Sequence, residues 1–315
     1  NKAFKKSFSQ QTNPSMLAKN IALAIENELR NSGMKKESIE QLLKSYDIIS
    51  SESNLLKEKR LSNLLTVLDE NFNSFSKTNK YFDVVTQFYV EFLSYAAREK
   101  QLGIVLTPTH ITDLFCDLVG ITKDSIVYDN CTGTGGFLIS ALKRMTQLAY
   151  GNKEKIKEIK SNQLVGVEEN HLMFALAVAN MYIHQDGKTS LIKGNCFDQE
   201  IKDQVSQCRP TIGMLNPPYQ NKNNPIWDLE FILENLDCLV EGGKCAAIIK
   251  NQNAMTSNSE VKELKKKLLE NHTLEAVLSM PNELFANQAN VVPCVMIVTA
   301  KKPHPQNKNV FFGYF

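Results

Sequence analysis

The chain has 315 residues, of which 43% are hydrophobic and 22% are charged. This is the composition of an ordinary globular protein of about two domains, and it excludes wholesale disorder. Lys and Arg (36) nearly balance Asp and Glu (34), which leaves a formal net charge of only +2. Because a protein that holds nucleic acid unaided usually carries a clear basic excess, a nucleic-acid substrate would require a further module for most of the binding.

The sequence predicts neither export nor a structural metal. No apolar run approaches the length of a membrane span, and the polar, basic first residues are unlike a secretory signal. The seven cysteines are scattered without a C-x-x-C pair, and the five histidines show no ligand spacing. We therefore expect a cytoplasmic protein with reduced thiols and no metal. Since the chain opens without Met, we also expect it to be a fragment of a longer protein.

The first hundred residues are predicted to be helical. Apolar residues recur at three- and four-residue steps over residues 17–29, 61–68 and 82–93. The capping-box spacing of Ser38–Gln41 predicts the start of another helix between the first two of these stripes. We predict an all-α N-terminal domain over residues 1–102.

From residue 122 onward, short apolar runs alternate with helical stretches. This alternation predicts an α/β domain, over residues 103–315, with a mainly parallel sheet covered on both faces and a truncated C-terminus. The predicted strands are 125–128, 164–167, 190–192, 212–215, 245–249, 274–278 and 295–298. The predicted helices are 137–150, 172–184, 227–239 and 261–269. Ligands of such sheets bind at the carboxyl ends of the strands, near the switch point.

Polar residues follow the first three predicted strands. The first is followed by the Gly-rich loop D-N-C-T-G-T-G-G over residues 129–136, where glycines let the backbone approach a ligand closely. Glu168 ends the second, where doubly wound folds place the acid that holds ribose hydroxyls. Asn195 and Cys196 follow the third. Taken alone, these residues are also compatible with turns and a surface acid that bind nothing.

The most informative motif is N-P-P-Y over residues 216–219, directly after the fourth strand. Two prolines end the strand and fix φ, so that Asn216 and the carbonyl of Pro217 are held rigidly at the sheet edge. A carboxamide oxygen and a carbonyl oxygen can together accept hydrogen bonds from one planar amino group. Tyr219 offers an aromatic face on which a base can stack. A turn of Asn and Pro without function is the alternative, but the Gly-rich loop upstream favours a site.

The order of these motifs resembles a known family. Residues 129–137 followed by 216–219 resemble the S-adenosyl-L-methionine (AdoMet)-dependent amino-methyltransferases, which have a Rossmann-like sheet. Thr107-Pro108 resembles the segment that closes over the methionine part of AdoMet in N6-adenine DNA methyltransferases of the gamma order. Residues 82–302 are most similar to the modification (M) subunit of type I restriction-modification systems, whose late strand and aromatic loop resemble residues 274–285.

The resemblance implies a role for each matching residue. The implied AdoMet-binding residues are Thr107, Pro108, Asp129, Thr132, Gly133, Thr134, Gly135, Gly136, Glu168, Asn195 and Cys196. The implied catalytic residues are Asn216, Pro217, Pro218 and Tyr219, and the residues implied to stack on or support the target base are Tyr219 and Phe285. The chain departs from the family at two positions. It has Asn195 where the family often has Asp, and Asn130 where the family usually has Pro or a small residue.

The function implied is that of a site-specific DNA methyltransferase, which moves a methyl group from AdoMet to N6 of an adenine flipped out of the duplex. It would be the modification component of a restriction system, with double-stranded DNA, a specificity subunit and a restriction subunit as partners. Because no target-recognition domain is evident after Phe285, we expect the chain alone to bind DNA weakly and without sequence preference. Three alternatives stay open: part of a larger fused restriction enzyme, a protein-glutamine or RNA methyltransferase, and a catalytically silent AdoMet-binding scaffold.

Overall fold

The computed structural model describes the chain in seven stretches that fall into two compact units. The described residues are 13–31, 36–57, 59–73, 106–184, 190–219, 225–285 and 292–314. The units are Asn1–Phe82 and Asp83–Phe315, and each is treated by itself. The predicted domain boundary after residue 102 lies outside the described residues.

The described part of the first unit is helical. Its helices are α1 (Pro14–Asn31), α2 (Lys36–Tyr46), α3 (Ile48–Ser51) and α4 (Arg60–Val67), and α4 continues as a π-helical turn over Leu68–Asn73. Leu17 and Ile21 of α1 pack against Leu61 of α4 in a small apolar cluster, as the spacing of the first two stripes predicts. The expected helix start at Ser38 is wrong, because α2 already begins at Lys36 and Ser38 lies inside its first turn. The stripe at 82–93 lies outside the described residues.

Within its described residues, the second unit is built on one sheet of eight strands in the order β3-β2-β1-β4-β5-β7-β6-β8. The strands are β1 (Val127–Asp129), β2 (Leu164–Glu168), β3 (Ser190–Lys193), β4 (Ile212–Leu215), β5 (Lys244–Lys250), β6 (Thr273–Ser279), β7 (Pro293–Thr299) and β8 (Phe311–Tyr314). The first five are parallel, β7 runs antiparallel between β5 and β6, and β8 pairs with β6 in parallel. A mainly parallel sheet is therefore confirmed, and each of the seven predicted strands is present.

Helices connect most of these strands. They are α5 (Thr109–Leu118), α6 (Gly136–Leu148), α7 (Lys153–Asn162), α8 (His171–Ile183), α9 (Gln199–Gln207), α10 (Asp228–Cys238), α11 (Asn251–Met255) and α12 (Ser259–Asn271), with a 3₁₀ turn at Asn282–Phe285. All residues of β1 and β4 are buried, which requires cover on both faces of the sheet at its centre. Between α6 and α7 the chain turns at Gly151, whose φ of 83° favours glycine.

The chain order reverses between β1 and β4. From β1 the chain moves outward through β2 to β3, then returns to place β4 on the other side of β1. Loops leaving β1 and β4 therefore diverge, and a crevice opens between them at the carboxyl ends of the strands. The Gly-rich loop and the N-P-P-Y segment both begin at this crevice.

At the opposite, amino ends of the strands, a buried glutamine joins β1 to β2. The side-chain amide of Gln163 donates to the carbonyls of Lys123 at 3.0 Å and Ser125 at 2.6 Å, and only 3% of the residue is exposed. We expect Gln163→Ala to lower the free energy of unfolding by about 1–3 kcal/mol, since the buried carbonyl of Ser125 and the part-buried carbonyl of Lys123 both lose their donor. Urea denaturation measures the change, and the exposed Gln207→Ala is the control. Equal stability of the two variants would contradict this assignment.

Candidate functional site

A cavity of about 320 Å³ lies at the carboxyl ends of β1 to β4. The predicted site residues that line it are Gly133, Glu168, Asn195, Cys196, Asn216, Pro217, Pro218 and Tyr219. Lining residues that were not predicted are Leu106, Asn130, Cys131, Val167, Glu169, Asn170, Met173, Gly194, Phe197, Ile226 and Phe231. The remaining predicted residues lie behind or beside these walls and do not line the cavity; they are Thr107, Pro108, Asp129, Thr132, Thr134, Gly135, Gly136 and Phe285.

The Gly-rich loop forms one wall of the cavity and is held by one hydrogen bond within the loop and one to β2. The Thr132 hydroxyl donates to the carbonyl of Asp129 at 3.0 Å, and the Thr132 amide donates to the carbonyl of Val167 at 3.1 Å. Gly133 and Gly135 have φ angles of 55° and 89°, values at which any other residue would be strained. These turns place the loop against β2 and start α6 directly behind it.

Glu168 joins the loop to the end of β2. Its Oε2 accepts a hydrogen bond from the Gly133 amide at 2.8 Å, and its Oε1 accepts one from the Asn170 amide at 2.6 Å. Burial raises the pKa of Glu168, while these two amides oppose that rise. The carboxylate is therefore a positioned acceptor at the cavity wall, suited to a pair of hydroxyl groups.

Asp129, the first residue of the loop, is completely buried beneath it. Its Oδ1 accepts a hydrogen bond from the Cys131 amide at 3.0 Å, whereas its Oδ2 has no hydrogen-bond partner among the described residues. Burial, with a smaller contribution from the nearby Glu168 carboxylate, raises the pKa of Asp129 to about 8. A direct contact with a ligand, as the sequence predicts for Asp129, stays a prediction.

The residues after β3 supply a polar edge and an aromatic wall. Oδ1 of Asn195 accepts a hydrogen bond from the Phe197 amide at 2.9 Å, and its Nδ2 donates one to Oε1 of Glu169 at 3.4 Å. The rings of Phe197 and Phe231 pack edge to face with centroids 4.9 Å apart. An aromatic ring that carries polar atoms on one edge can pack its face against Phe197 and Phe231 while that edge faces Asn195.

Asn216 is oriented by a residue 109 positions earlier in the chain. Its Nδ2 donates to Oγ1 of Thr107 at 3.0 Å. Because the amide nitrogen is turned toward Thr107, the acceptor Oδ1 lies on the other side of the carboxamide. Thr107 directly precedes Pro108, the N-cap of α5, so the start of that helix fixes the hydroxyl.

Tyr219 lies between an aromatic ring and a cation. Its ring centroid is 6.4 Å from that of Phe285, with an angle of 67° between the planes, and Nζ of Lys250 lies 5.7 Å from the Tyr219 centroid. The two rings thus contact each other, and Phe285 is buried and does not line the cavity, so their roles toward a base stay predictions. Lys250, at the carboxyl end of β5, was not singled out in the sequence because it belongs to no motif.

The described residues contain no cluster of three or more His, Cys, Asp or Glu side chains suited to a metal ion. None of the described helices is long and apolar enough to cross a bilayer. All seven cysteines are free thiols, and those of Cys131 and Cys196 contact each other at the cavity. The charged residues that line the cavity are Glu168 and Glu169.

The strand order, with its reversal beside β1, and the Gly-rich loop between β1 and α6 define a Rossmann-like α/β sheet. The sequence profile described as N-6 DNA Methylase matches residues 80–313. The chain belongs to this N-6 DNA methylase family.

Two curated relatives illustrate the similarity. A type II restriction enzyme and methyltransferase, RM.BcgI of Heyndrickxia coagulans, is 38% identical over 257 residues, which cover 79% of this chain and 40% of the relative. The methylase subunit of the type I restriction enzyme MjaVII of Methanocaldococcus jannaschii is 27% identical over 263 residues, which cover 73% of this chain and 42% of that subunit. The chain thus spans about two fifths of the length of these relatives.

The fold is also found in solved structures. The methyltransferase subunit of a type I restriction-modification system from Streptococcus thermophilus superposes with a TM-score of 0.64 at 18% identity, covering 94% of this chain and 64% of that one. A type I modification subunit from Vibrio vulnificus gives a TM-score of 0.63 at 16% identity, covering 85% and 62%. At such identities the likeness establishes the fold.

The buried Asp129 makes stability depend on pH. With a folded-state pKa of about 8 against an ordinary value of 3.8, the folded protein retains a proton that the unfolded chain releases. This contribution is fully present below about pH 4 and is lost as pH rises toward 8, by at most about 1.4 kcal/mol per pH unit. We expect Asp129→Asn, which keeps the acceptor for Cys131, to gain stability relative to wild type as pH rises from 5 to about 8.

Urea denaturation of both proteins without ligand at pH 5, 6, 7 and 8 provides the measurement. Asp203→Asn, at an exposed position on α9, is the control and should follow wild type at each pH. A constant difference between Asp129→Asn and wild type across this range would show that Asp129 does not titrate in it.

Proposed function

We propose that this chain transfers a methyl group from AdoMet to N6 of adenine in DNA, as the modification part of a restriction-modification system. The observation that carries the proposal is the juxtaposition, in one cavity, of the Glu168 carboxylate with the N-P-P-Y segment. The first suits the ribose of a nucleoside, and the second suits a planar amino group. Two such sites side by side fit a reaction between a nucleoside cofactor and an amino-bearing base.

The residues present fit AdoMet. Glu168 offers acceptors for two ribose hydroxyls, Asn195 offers a polar edge, and Phe197 with Phe231 offers an aromatic wall for adenine. The turn at Gly133 brings backbone close to the methionine end. When bound, AdoMet supplies an electrophilic methyl group.

The catalytic contribution of the chain is orientation and hydrogen bonding. An adenine inside the duplex cannot reach the cavity, so the base must first rotate out of the stack. Oδ1 of Asn216 and the carbonyl of Pro217 then accept the two amino hydrogens. This draws the amino nitrogen toward a tetrahedral geometry in which its lone pair would be directed at the electrophilic methyl carbon. The electron pair of the breaking carbon–sulfur bond would stay on sulfur, and the methylated nitrogen would lose one of its two amino protons. The prolines hold both oxygens in place, so little entropy is lost at the moment of reaction.

In this proposal Tyr219 receives the face of the flipped base, and the contact of its ring with Phe285 supports that role. Aromatic stacking of this kind contributes on the order of 1–3 kcal/mol per base. The ammonium of Lys250, 5.7 Å from the centroid of the same ring, adds a positive charge that a phosphate group of a nucleic acid can pair with. Both features favour a nucleic acid over a protein glutamine as substrate.

The near-neutral charge supports a division of labour. With a net charge of +2, the chain has too small a basic excess to hold duplex DNA tightly by itself. We propose that sequence recognition resides in a specificity subunit or in another part of a longer chain, and that the assembly acts in the cytoplasm. The 38% identity to a relative named both restriction enzyme and methyltransferase favours a fused arrangement as the second candidate.

The function is tested by mapping N6-methyladenine across the genome of the native host. We expect methylation of one sequence motif in the wild-type strain and its loss when the gene is deleted or carries Asn216→Ala. A strain with Asn271→Ala, at an exposed position on α12, is the matched control and should keep the methylation. A split motif would favour separate recognition modules. A deletion strain with an unchanged map would turn the proposal toward RNA, protein or a silent scaffold.

Purified Asn216→Ala separates catalysis from binding. Since Asn216 is proposed to touch the amino group and not the cofactor, AdoMet affinity should stay within about threefold of wild type while methyl transfer is lost. Isothermal titration with AdoMet gives the first quantity. A large loss of AdoMet affinity would mean that Asn216 belongs to the cofactor site.

Thr107 gives a separate prediction, because its hydroxyl orients the Asn216 carboxamide. Thr107→Val keeps the shape but removes the acceptor, and we expect kcat to fall about tenfold with little change in KM for AdoMet. Thr107→Ser retains the hydroxyl and should keep most of the activity. A raised KM for AdoMet at unchanged kcat would instead place Thr107 in cofactor binding, as the sequence resemblance implies.

A further inference from the structure

Two buried asparagines form a bridge directly behind the cavity. Nδ2 of Asn130, in the Gly-rich loop, donates to the backbone carbonyl of Phe231 in α10 at 2.9 Å. Nδ2 of Asn235, also in α10, donates to Oδ1 of Asn130 at 3.0 Å. The exposed fractions of Asn130 and Asn235 are 3% and 0%, so water does not compete for these bonds.

The Asn235 side chain fits its buried position only because the residue beside it in β4, Gly213, has no side chain. A Cβ on Gly213 would lie 1.9 Å from Oδ1 of Asn235, far inside van der Waals contact. The next nearest atoms are Cγ of Asn235 itself at 3.0 Å and the sulfur of Cys245 at 3.2 Å, and the sulfur needs to move by only a few tenths of an ångström. Gly213 therefore makes room for the bridge, although its own backbone is ordinary strand.

The bridge connects the two walls of the cavity. Phe231 and Asn235 are four residues apart and lie on one face of α10, so both bonds fix the same turn of that helix to the loop. The ring of Phe231 lines the cavity and packs on Phe197, and Asn130 lines it from the loop side. The spacing between loop and aromatic wall is thus set by the two amides.

We propose that Asn130 and Asn235 are positioning residues for the cofactor, and that Gly213 leaves the space which the Asn235 side chain needs. The two asparagines fix the distance between the Gly-rich loop and the aromatic wall of Phe197 and Phe231 at the value that an adenine ring requires. This inference rests on the proposed function, because it takes AdoMet as the ligand of the cavity. Neither asparagine is assigned a chemical step. A residue at position 130 without a side-chain amide, such as proline, makes neither contact.

The bridge accounts for the asparagine at position 130 in physical terms. Removing either amide leaves the other with a buried donor or acceptor unsatisfied, which favours movement of α10 away from the loop. A shift of the Phe231 ring widens the gap into which the adenine must fit. Affinity for AdoMet falls, while the geometry of Asn216 on the other side of the cavity is retained.

The experiment measures AdoMet affinity and turnover separately in the full-length protein with its natural partners. Asn235→Ala and the isosteric Asn130→Asp, which keeps an acceptor but loses the donor to Phe231, should raise the Kd for AdoMet about tenfold. The kcat at saturating AdoMet should stay within about twofold of wild type, because the catalytic segment is untouched.

Gln163→Ala is the matched control for stability. It also removes a buried amide with two hydrogen bonds, but at the amino ends of the strands. It should lower the unfolding midpoint while the Kd for AdoMet stays at the wild-type value. If Gln163→Ala raises the Kd as much as Asn235→Ala does, the effect is one of general stability and the proposal is wrong.

A double variant tests whether Gly213 makes room for the Asn235 side chain. Gly213→Ala should raise the Kd for AdoMet as Asn235→Ala does, because the new Cβ expels the Asn235 side chain. In the Asn235→Ala background the same change should add little, since the clashing oxygen is gone. Additive effects of the two substitutions would overturn the role given to Gly213.

The outcomes separate this inference from the proposed function. If the wild-type protein does not bind AdoMet, the proposed function fails and the inference fails with it. If wild type binds AdoMet and the variants at 130 and 235 bind it equally well, the inference alone is wrong.

Discussion

The reversal of chain order between β1 and β4 is the constraint on which the rest of the site depends. Parallel strands present their carboxyl ends at one edge, but neighbouring loops normally fold over that edge in the same direction and close it. At the reversal the loops after β1 and β4 leave in opposite directions. The crevice that remains receives Glu168 from one side and Asn216 from the other, so that both side chains face one cavity while each is anchored at the end of a strand.

The sequence allowed the sheet and much of the cavity to be predicted, for identifiable reasons. Strands buried on both faces read as unbroken apolar runs, and β2, β4, β5 and β7 are of this kind. Residues that line the cavity, such as Glu168 at the end of β2 and Asn216 directly after β4, stand at the carboxyl ends of such strands. Position relative to a strand was therefore enough to find them.

Other features lay beyond the sequence because they depend on contacts between distant residues. Thr107 contacts Asn216 across 109 positions, and nothing in the local pattern around Thr107 predicts that its hydroxyl turns toward Asn216. The aromatic wall was missed since Phe231 looks like any core residue of an amphipathic helix. The short helix α11 has too few residues for an apolar period, and the capping-box spacing at Ser38 placed the start of α2 two residues late. In each case tertiary packing decided what the local pattern left open.

The amide bridge has a consequence for how sequences of this kind can diverge. Three positions that lie far apart along the chain, 130, 213 and 235, share one steric and hydrogen-bonding solution. In a lineage that replaces Asn130 by an apolar residue, Asn235 has no hydrogen-bond partner left to keep it. Once residue 235 is small as well, position 213 no longer needs to be glycine. Substitutions at the three sites are therefore expected to be inherited together, so that the wall of the cavity evolves as a unit while the catalytic segment stays unchanged.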